Sequence, residues 1–421
     1  MPPAADGPLA VREDFPIFGR EFGGRPLVYL DSSSTSQKPQ VVIEAQAAHL
    51  REHNANVHRG VYELAEQADA AFEGARRRVA AFTNADPRTT IFTKNVTEAI
   101  NLVAYAWGRA NVGPGDAVLV TQMEHHANLV PWQVLCRERG AELRYLEVDG
   151  DGRLSLEALE QELARGDVRM VAFAHVSNVL GTINPVAEIT SRARAAGAVT
   201  LVDGAQAAPQ MPVDVQALGA DFYGWTGHKA LGPTGIGVLH GRSELLEQMP
   251  PFLTGGDMIA SVDLEGATWN ELPWKFEAGT PMIAEAVGLA AAVEYLQALG
   301  MERVREHERR LVEQLLDGLC QVPGVHIVGP PPGQERGGLA SFTVEGIHPH
   351  DVAELLAREG VCIRAGHHCA QPLMRCLGVA ATARASVGVY SEPADVQALL
   401  AALHGAREVF ALEGAPPSRA H

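Results

Sequence analysis

Short apolar strands alternate with helices along the middle of this chain, and this alternation limits the possible folds more than any other feature. From about residue 115, strand-like segments such as DAVLV, RMVAFAHV and VTLVD are separated by segments with apolar residues at helical spacing, such as HANLVPWQVLCRERG and PVAEITSRARAAG. Strands that are apolar along their whole length and alternate with helices are typical of a mainly parallel sheet covered on both faces. The sequence therefore predicts an α/β fold in which ligands gather at the carboxyl ends of the strands.

The last section of the chain has a pattern of its own. A helical stretch, AEAVGLAAAVEYLQALG, is followed by the strand GLASFTVEG, the helix PHDVAELLAREG and the strand VCIRAG. A chain of 421 residues has enough material for about two or three domains. We predict a large domain over residues 27–296 and a smaller α/β domain formed by residues 1–26 and 297–421. The first dozen residues and the tail GAPPSRAH are predicted to be disordered.

Charge and cysteine content narrow the function classes. Lys and Arg number 34 against 51 Asp and Glu, and the net charge of −17 disfavours nucleic acid as a partner. The N-terminus has no basic start followed by an apolar core, and no apolar run is long enough to span a bilayer. The sequence therefore predicts a cytoplasmic enzyme without a membrane partner. The five scattered cysteines favour neither a disulfide framework nor a self-contained zinc site, and they are Cys136, Cys320, Cys362, Cys369 and Cys376.

Three segments that follow predicted strands carry residues suited to one chemistry. VTLVDGAQA places Asp203 at a strand end and Gln206 shortly after it. DFYGWTGHKALGPTGIG places Lys229 after another strand, and TQMEHHANLVPW places His125 and its neighbour at the beginning of a helix. Pyridoxal 5'-phosphate (PLP) needs a lysine for its Schiff base, a carboxylate for its pyridine nitrogen and a flat group against its ring. Together these residues indicate a PLP site.

Each of these residues also has an ordinary explanation. Lys229 alone would be a surface lysine in a glycine-rich loop, and Asp203 alone would be a helix cap. Their order along the strands favours the cofactor interpretation. A phosphate group also needs amides at a helix N-terminus, and TKNVTEAINL supplies them if Thr97 and Glu98 open the next helix.

Longer motifs then resemble a known family, the SufS-like (group II) PLP-dependent cysteine desulfurases of fold-type I. The resemblance runs from LDSSSTSQKP to TARASVGVY and includes NVHRG, KNVTEAINLVA, QMEHHANLVPWQ, HVSNVLGT, LVDGAQA, GHKALGPTGIG, KFEAGTP and RAGHHCAQPLM. It implies a large domain with a mainly parallel sheet covered by helices and a smaller C-terminal α/β domain. One departure is Val96, which stands where relatives often carry a threonine, and a backbone amide can serve there instead.

The resemblance implies a role for each matching residue. Lys229 would form the Schiff base, Asp203 would pair with the pyridine nitrogen, and Gln206 would bind the phenolic oxygen. His125 would stack on the ring and could handle the proton of a substrate thiol. The phosphate would be held by Thr97, Thr226 and His228, with Thr280 from a second subunit. The substrate-binding residues would be Asn178, Arg364 and Arg384.

The segment RAGHHCAQP allows a metal clip, a structural cysteine or a reactive thiol. Consecutive side chains do not converge easily on one tetrahedral metal, so we predict no metal site here. Cys369 lies in a loop flanked by His367, His368 and Arg364, where positive charge favours a thiolate. In the family this position carries the sulfur-accepting cysteine, whereas we interpret the other four thiols as structural.

The implied function is a cysteine desulfurase that converts L-cysteine to L-alanine and holds the sulfur as a persulfide on Cys369, for iron–sulfur cluster assembly. A selenocysteine lyase or cysteine sulfinate desulfinase on the same scaffold is the nearest alternative. A PLP aminotransferase or epimerase and a zinc-binding interaction module are more distant ones.

The resemblance also implies partners. The sulfur acceptor would be a U-type or an E-type protein, and the sulfur would pass to a SUF assembly scaffold. In HPHDVAEL, His350 would engage the zinc of a U-type acceptor, although helix capping by Asp351 is the ordinary explanation. The segment GGDMIASVDLEGATWNELPWKFEAGTP predicts a hairpin and loop at a homodimer interface, with exposed Trp269 and Trp274.

Overall fold

The computed structural model describes residues 9–409 of the chain. The predicted disorder of residues 1–8 and of the tail GAPPSRAH lies outside the described residues. For residues 9–12 the prediction of disorder is wrong, because long-range contacts hold them in place. Leu9 is buried and donates from its amide to the His307 ring, and Arg12 forms an ion pair with Asp395 at 2.8 Å.

Seventeen strands form two main sheets and three short pairs within the described residues. The strands are β1 Glu21–Phe22, β2 Arg25–Pro26, β3 Val28–Tyr29, β4 Thr90–Thr93, β5 Ala117–Thr121, β6 Glu142–Leu146, β7 Val168–Ala174, β8 Val199–Asp203, β9 Phe222–Thr226, β10 Gly237–Gly241, β11 Ile259–Val262, β12 Ala267–Trp269, β13 Val325–Val328, β14 Leu339–Val344, β15 Val361–Cys362, β16 Arg364–Gly366 and β17 Thr382–Ser386.

Fourteen α-helices cover these sheets in the same part of the chain. The helices are α1 Gln40–Glu52, α2 Glu63–Phe82, α3 Val96–Leu102, α4 Arg109–Asn111, α5 Val130–Arg139, α6 Leu156–Leu163, α7 Val186–Ala195, α8 Val215–Leu218, α9 Ser243–Gln248, α10 Ile283–Leu299, α11 Met301–Gln321, α12 Pro349–Arg358, α13 Gln371–Cys376 and α14 Pro393–Val409. A π-helical segment, Val103–Gly108, makes α3 and α4 one continuous helical run.

The larger sheet has seven strands in the order β4-β10-β9-β8-β7-β5-β6. Strands β9, β8, β7, β5 and β6 are parallel, and only β10 runs against its two neighbours. Every residue of β5 and β9 is buried, as expected for strands covered on both faces. The predicted α/β fold with a mainly parallel sheet is confirmed.

The smaller sheet lies in the C-terminal part of the chain and is antiparallel, in the order β13-β14-β17-β16. Its core contains apolar residues of α11, α12 and α14 packed against β14 and β17. Helices α10 and α11 meet at Gly300 with a bend of 77°. The predicted domain boundary near residue 296 falls within α10 and stays a prediction.

The prediction that VCIRAG forms one strand is wrong. VCIRAG is not a single strand, because the chain leaves one sheet and enters another at Ile363. Strand β15 pairs in parallel with β3 from the N-terminal part of the chain, whereas β16 pairs with β17. This change of partner places Arg364 at the cavity described below.

Between residues 9 and 409, no single helix is long and apolar enough to cross a bilayer. Helices α10 and α11 reach that length and apolarity only as a bent pair.

Candidate active site

Neighbouring strands of the larger sheet bring the predicted site residues to one edge. Asp203 is the last residue of β8, and Lys229 closes a short 3-10 turn directly after β9, its neighbour in the sheet. His125 follows β5 and precedes α5. These carboxyl ends border a cavity of about 360 Å³.

The cavity collects ten of the residues predicted for the site. They come from both sheets and from the loops between them, and they are Thr97, His125, Asn178, Asp203, Gln206, Thr226, His228, Lys229, Arg364 and Arg384. The cavity lining does not include Cys369, Thr280 or His350, which lie elsewhere as described below.

Burial sets the charge states at the base of the cavity. It lowers the pKa of the Lys229 amine to about 8, and the negative charge of Asp203 opposes this shift. Burial also raises the pKa of Asp203, against a hydrogen bond from the Ala205 amide and the charge of Lys229. A lysine with a lowered pKa supplies an unprotonated amine near neutral pH, which is the nucleophilic form.

His125 is a neutral imidazole in this arrangement. Burial and the charge of Lys229 lower its pKa to about 3. Its Nδ1 accepts a hydrogen bond from the Ala127 amide at 3.0 Å, so the ring proton lies on Nε2. His125 therefore offers a flat ring and a donor at Nε2, and it has no free lone pair to accept a substrate proton in this tautomer.

Two arginines of the smaller sheet close the opposite side of the cavity. Arg384 is buried, and its Nη2 donates to Ser34 Oγ at 2.9 Å and to Asp31 at 3.2 Å. Arg364 donates from Nη1 to the same Ser34 hydroxyl at 3.0 Å. Burial lowers the pKa of Arg384 to about 10, and Asp31 opposes that shift. Two guanidiniums placed side by side are chemically suited to binding a carboxylate.

Cys369 lies at the rim of this cavity, next to one of its arginines. Arg364 Nη2 lies 3.6 Å from Cys369 Sγ. His368 and Cys369 both have left-handed backbones, with φ of 50° and 57°. Asn178 Nδ2 donates to the His368 carbonyl at 2.7 Å, and the His126 amide donates to the Cys369 carbonyl at 2.7 Å. The cysteine loop is therefore pinned to residues of the larger sheet beside His125.

Three residues with predicted roles or exposure lie outside the cavity. Thr280 is exposed, and Trp269 has 43% of its surface exposed, at the end of the predicted hairpin β11–β12. The prediction that Trp274 is exposed is wrong, because Trp274 is partly buried and its Nε1 donates to Glu73 at 3.1 Å.

The predicted capping of α12 by Asp351 is also wrong. The helix begins at Pro349, and His348 Nδ1 accepts the His350 amide as the cap. Asp351 is the third residue of the helix, so it lies inside the first turn. His350 Nε2 stands 3.7 Å from where a Cβ on Gly366 would lie, which places His350 beside the strand that leads to Cys369.

Several residues of the site were not predicted from the sequence. Ser33 and Ser34 line the cavity, and Lys38 donates to the carbonyl of His228. The signal was a run of hydroxyl residues, SSSTS, directly after a strand end. Glu124 was also missed, although it is buried and accepts hydrogen bonds from Thr121 and two other donors.

The residues present fit PLP. Within residues 9–409, Thr226 Oγ1 and Ser33 Oγ are buried without a hydrogen-bond partner, and both residues line the cavity together with Lys229. Asn95 Oδ1 accepts a hydrogen bond from the Glu98 amide and so caps α3. The two amides before it, at the start of the helix, have no acceptor inside the helix. These groups match what a phosphate and an aldehyde require. In the same part of the chain, no three His, Cys, Asp or Glu side chains converge on a metal position.

Comparison with known proteins agrees with this geometry. A family profile described as aminotransferase class-V matches residues 28–399. The chain belongs to the aminotransferase class-V family. It is 51% identical over 416 residues to a probable cysteine desulfurase of Halobacterium salinarum, covering 98% of this chain and 100% of that protein. It is 49% identical to a cysteine desulfurase of Haloferax volcanii, covering 96% of this chain and 97% of that protein.

Solved structures of this family superpose over nearly the whole chain. The cysteine desulfurase CsdA (S-sulfonic acid) from Escherichia coli gives a TM-score of 0.89 at 40% identity, covering 96% of this chain and all (100%) of that chain. An apo cysteine desulfurase from Thermococcus onnurineus gives 0.90 at 40% identity, covering 94% and 96%. C-DES with a glycine covalently linked to its PLP cofactor gives 0.79 at 26% identity, covering 93% and 98%.

Capture of PLP by the cofactor-free protein should become faster with rising pH and level off above about pH 8. Only the unprotonated amine attacks an aldehyde, and burial lowers the pKa of Lys229 to about 8. Asp203→Asn should move the midpoint to lower pH, because the carboxylate opposes this shift. Stopped-flow absorbance measures the rate, which is divided by the rate constant of a model amine in its unprotonated form to cancel the titration of PLP itself. A midpoint near 10, or one that Asp203→Asn leaves in place, would contradict this assignment.

Proposed function

We propose that this protein is a PLP-dependent cysteine desulfurase that converts L-cysteine to L-alanine and holds the released sulfur as a persulfide on Cys369. The observation that carries the proposal is one contact. Arg364 lines the cavity that contains Lys229 and also donates to Cys369 Sγ at 3.6 Å. The reacting thiol therefore stands at the edge of a PLP-type cavity, beside a fixed positive charge.

The cavity residues divide naturally among the parts of PLP. Thr97, Thr226 and His228 would hold the phosphate, and the unpartnered Thr226 hydroxyl supports this role. Lys229 would carry the cofactor. Asp203 would meet the pyridine nitrogen. When bound, PLP supplies an electron sink for a carbanion next to the amino group of its substrate.

Two further residues would contact the ring. The ring of His125 would stack on it, and its Nε2–H would serve as a donor toward the substrate. Gln206 would contact the phenolic oxygen, although its Nε2 already donates to the Ser33 carbonyl at 3.0 Å. That hydrogen bond holds the Gln206 amide in the wall of the cavity, which Gln206 lines.

The two arginines and Asn178 would bind the amino-acid carboxylate. Among residues 9–409, Arg384 Nε is buried without a hydrogen-bond partner, so a donor remains for an incoming oxygen. Asn178 Nδ2 already donates to the His368 carbonyl, which couples substrate binding to the cysteine loop. Binding the carboxylate here would direct the substrate's side-chain sulfur toward Cys369, since Arg364 lines the cavity and also contacts Cys369.

The residues of the chain then divide the reaction into a proton step and a sulfur step. Lys229, whose lowered pKa leaves an unprotonated amine, would remove the Cα proton. Cys369 as a thiolate would attack the substrate sulfur, forming an S–S bond while the Cβ–S bond breaks. The electron pair of that bond stays with the carbon fragment, which takes up a proton at Cβ and leaves as alanine. Net, one sulfur atom moves from cysteine to Cys369 without an external oxidant or reductant.

A selenocysteine lyase or a cysteine sulfinate desulfinase on the same scaffold would need no acceptor thiol. The contact between Arg364 and Cys369 favours the desulfurase, because the other two reactions would not use a thiol held beside a positive charge. Rates on the three substrates, with and without Cys369, separate the functions.

Cys369→Ser should lower alanine formation from L-cysteine by roughly 100-fold or more while PLP remains bound, because the hydroxyl is a poor acceptor of sulfur. Cys376→Ser is the matched control. Cys376 is exposed at the end of α13, and its loss should leave the rate unchanged. Alanine is measured by chromatography and PLP by its absorbance. Full alanine output from Cys369→Ser would remove the role of Cys369.

Two histidines near Cys369 suit the binding of a sulfur-accepting partner. The protein would act in the cytoplasm, in a SufS-like pathway that leads to iron–sulfur clusters. His367 is exposed beside Cys369, and His350 lies next to Gly366 on the same surface. We propose that a small zinc-containing U-type protein binds here with His350 toward its zinc. An E-type acceptor remains the alternative. From either acceptor, the sulfur would be transferred to a SUF assembly scaffold.

His350→Ala should reduce the stimulation of turnover by a U-type partner about tenfold and leave the rate without partner unchanged. His326→Ala is the matched control, because His326 is an exposed histidine of the same domain on β13. The measurement is the rate of sulfide release against the concentration of partner. Equal stimulation of wild type and His350→Ala would exclude the zinc contact.

We also propose a homodimer, with Thr280 reaching the phosphate of the second subunit. Thr280 is exposed and does not line the cavity of its own chain. The hairpin β11–β12 presents Val262, Leu264 and Trp269 to solvent. An exposed apolar hairpin of this kind is expected to be covered by another subunit.

Sedimentation equilibrium of the PLP-loaded protein should give twice the chain mass of 44.9 kDa. Leu264→Asp should weaken this association, because it would place a charge in an apolar interface. Leu50→Asp, at another exposed leucine on α1, is the control and should not change the mass. A stable wild-type monomer would contradict both the dimer and the role of Thr280.

A further inference from the structure

The carbonyl oxygen of His228, the residue before Lys229, is surrounded by donors from a single short segment. The Ser36 amide, Thr35 Oγ1 and Ser36 Oγ each lie 3.0 Å from it, and Lys38 Nζ lies 2.8 Å from it. A carbonyl oxygen has two lone pairs, so four donors leave it little freedom to move. The peptide that leads into Lys229 is therefore held from outside its own loop.

Lys38 contributes a charged donor to this arrangement. Its Nζ donates to the Ser36 carbonyl at 2.7 Å, to Ser36 Oγ at 3.1 Å and to the His228 carbonyl, which accounts for all three N–H groups. No ion pair involves Lys38 within residues 9–409, and burial lowers its pKa to about 7. Burying an ammonium against neutral oxygens is costly, and an apolar side chain would pack there at less cost. A lysine in this place therefore indicates a role beyond packing.

Ser36 extends the support to the other side of Lys229. Its Oγ accepts a hydrogen bond from the Leu231 amide at 3.0 Å and donates to the His228 carbonyl. Leu231 has a φ of 59°, a left-handed conformation that is unfavourable for a leucine. The turn that presents Lys229 thus contains strain that contacts with Ser36 and Lys38 offset.

We propose that Lys38 is a positioning residue for Lys229, which fixes the His228–Lys229 peptide and so the direction in which the Lys229 amine enters the cavity. The kinetic part of this inference rests on the proposed function, whereas the contacts do not. The same segment supplies Ser33 and Ser34 to the cavity wall. It therefore sets the lysine and the two arginines at a fixed distance from each other.

The test compares Lys38→Met and Lys38→Arg with a matched control, Lys275→Met. Lys38 is partly buried and Lys275 is buried, and Lys275 Nζ likewise donates to two backbone carbonyls, those of Leu246 and Glu247, at 3.1 and 2.9 Å. It does not line the cavity. Hydrogen exchange is measured on the PLP-loaded full-length protein at the amides of Ser36 and Leu231, together with kcat and KM for L-cysteine.

Lys38→Met should speed exchange at these amides by about tenfold or more, since the hydrogen bonds of Lys38 to Ser36 and to the His228 carbonyl are lost. It should lower kcat by about 10- to 100-fold while KM changes little, because a misdirected amine affects the proton step. Lys38→Arg should restore part of both, and Lys275→Met should change neither.

Wild-type exchange in Lys38→Met, or equal effects of Lys275→Met, would overturn the inference. If Lys38→Met does not fold, Lys38→Gln takes its place with the same two measurements. A wild-type protein that forms no alanine would refute the proposed function, whereas the exchange comparison would still decide the role of Lys38.

Discussion

The buried guanidinium of Arg384 joins the two sheets of this protein around one cavity. It donates to the carbonyl of Asn178, which follows a strand of the larger sheet, and to Asp31 and Ser34. A charge buried in this way is stable only when its partners are in place, and losing one partner of a buried pair costs about 3–5 kcal/mol. The position of the smaller sheet follows from these contacts, and with it the position of Cys369.

The cysteine loop shows how this constraint reaches Cys369, the proposed sulfur acceptor. Two consecutive residues, His368 and Cys369, are in the left-handed region, at a cost of about 1–3 kcal/mol each. The His368 ring is anchored in the smaller sheet by Thr382, with Nε2 2.9 Å from the hydroxyl. The two carbonyls are bound by Asn178 and the His126 amide, which lie in segments that follow β7 and β5 of the larger sheet. The strained loop therefore has supporting contacts on the sides of both sheets. Its conformation depends on the two sheets being packed against each other.

Much of the site could be predicted from sequence because parallel strands end at one edge. The apolar strands identified the sheet, and Asp203, Lys229 and His125 follow strands that are close together in it. The partners of strands are set by contacts distant in the chain, so the division of VCIRAG between two sheets could not be predicted. The cap of α12 was misassigned because the helix begins at Pro349, so His348 occupies the cap position and Asp351 stands inside the first turn.

The contacts that hold the site together were less visible than the residues that would react. The roles of Ser34 and Lys38 depend on partners about 190 to 350 positions away along the chain. No local pattern of spacing encodes such pairs, and a run of hydroxyl residues after a strand is an equally good turn signal. The reacting side chains have rare chemistry in a predictable place, whereas the supporting ones have common chemistry whose function comes from the fold.

The most direct test of the central claim is to locate the sulfur after brief exposure of the PLP-loaded protein to L-cysteine, followed by alkylation, trypsin and mass spectrometry. Cleavage after Arg364 and Arg375 releases a peptide, residues 365–375, in which Cys369 is the one cysteine. The account predicts one additional sulfur atom on this peptide, and none when Lys229 is replaced by alanine. Sulfur on the peptides of Cys362 or Cys376 instead, or alanine formed with no sulfur retained by the wild-type protein, would contradict it.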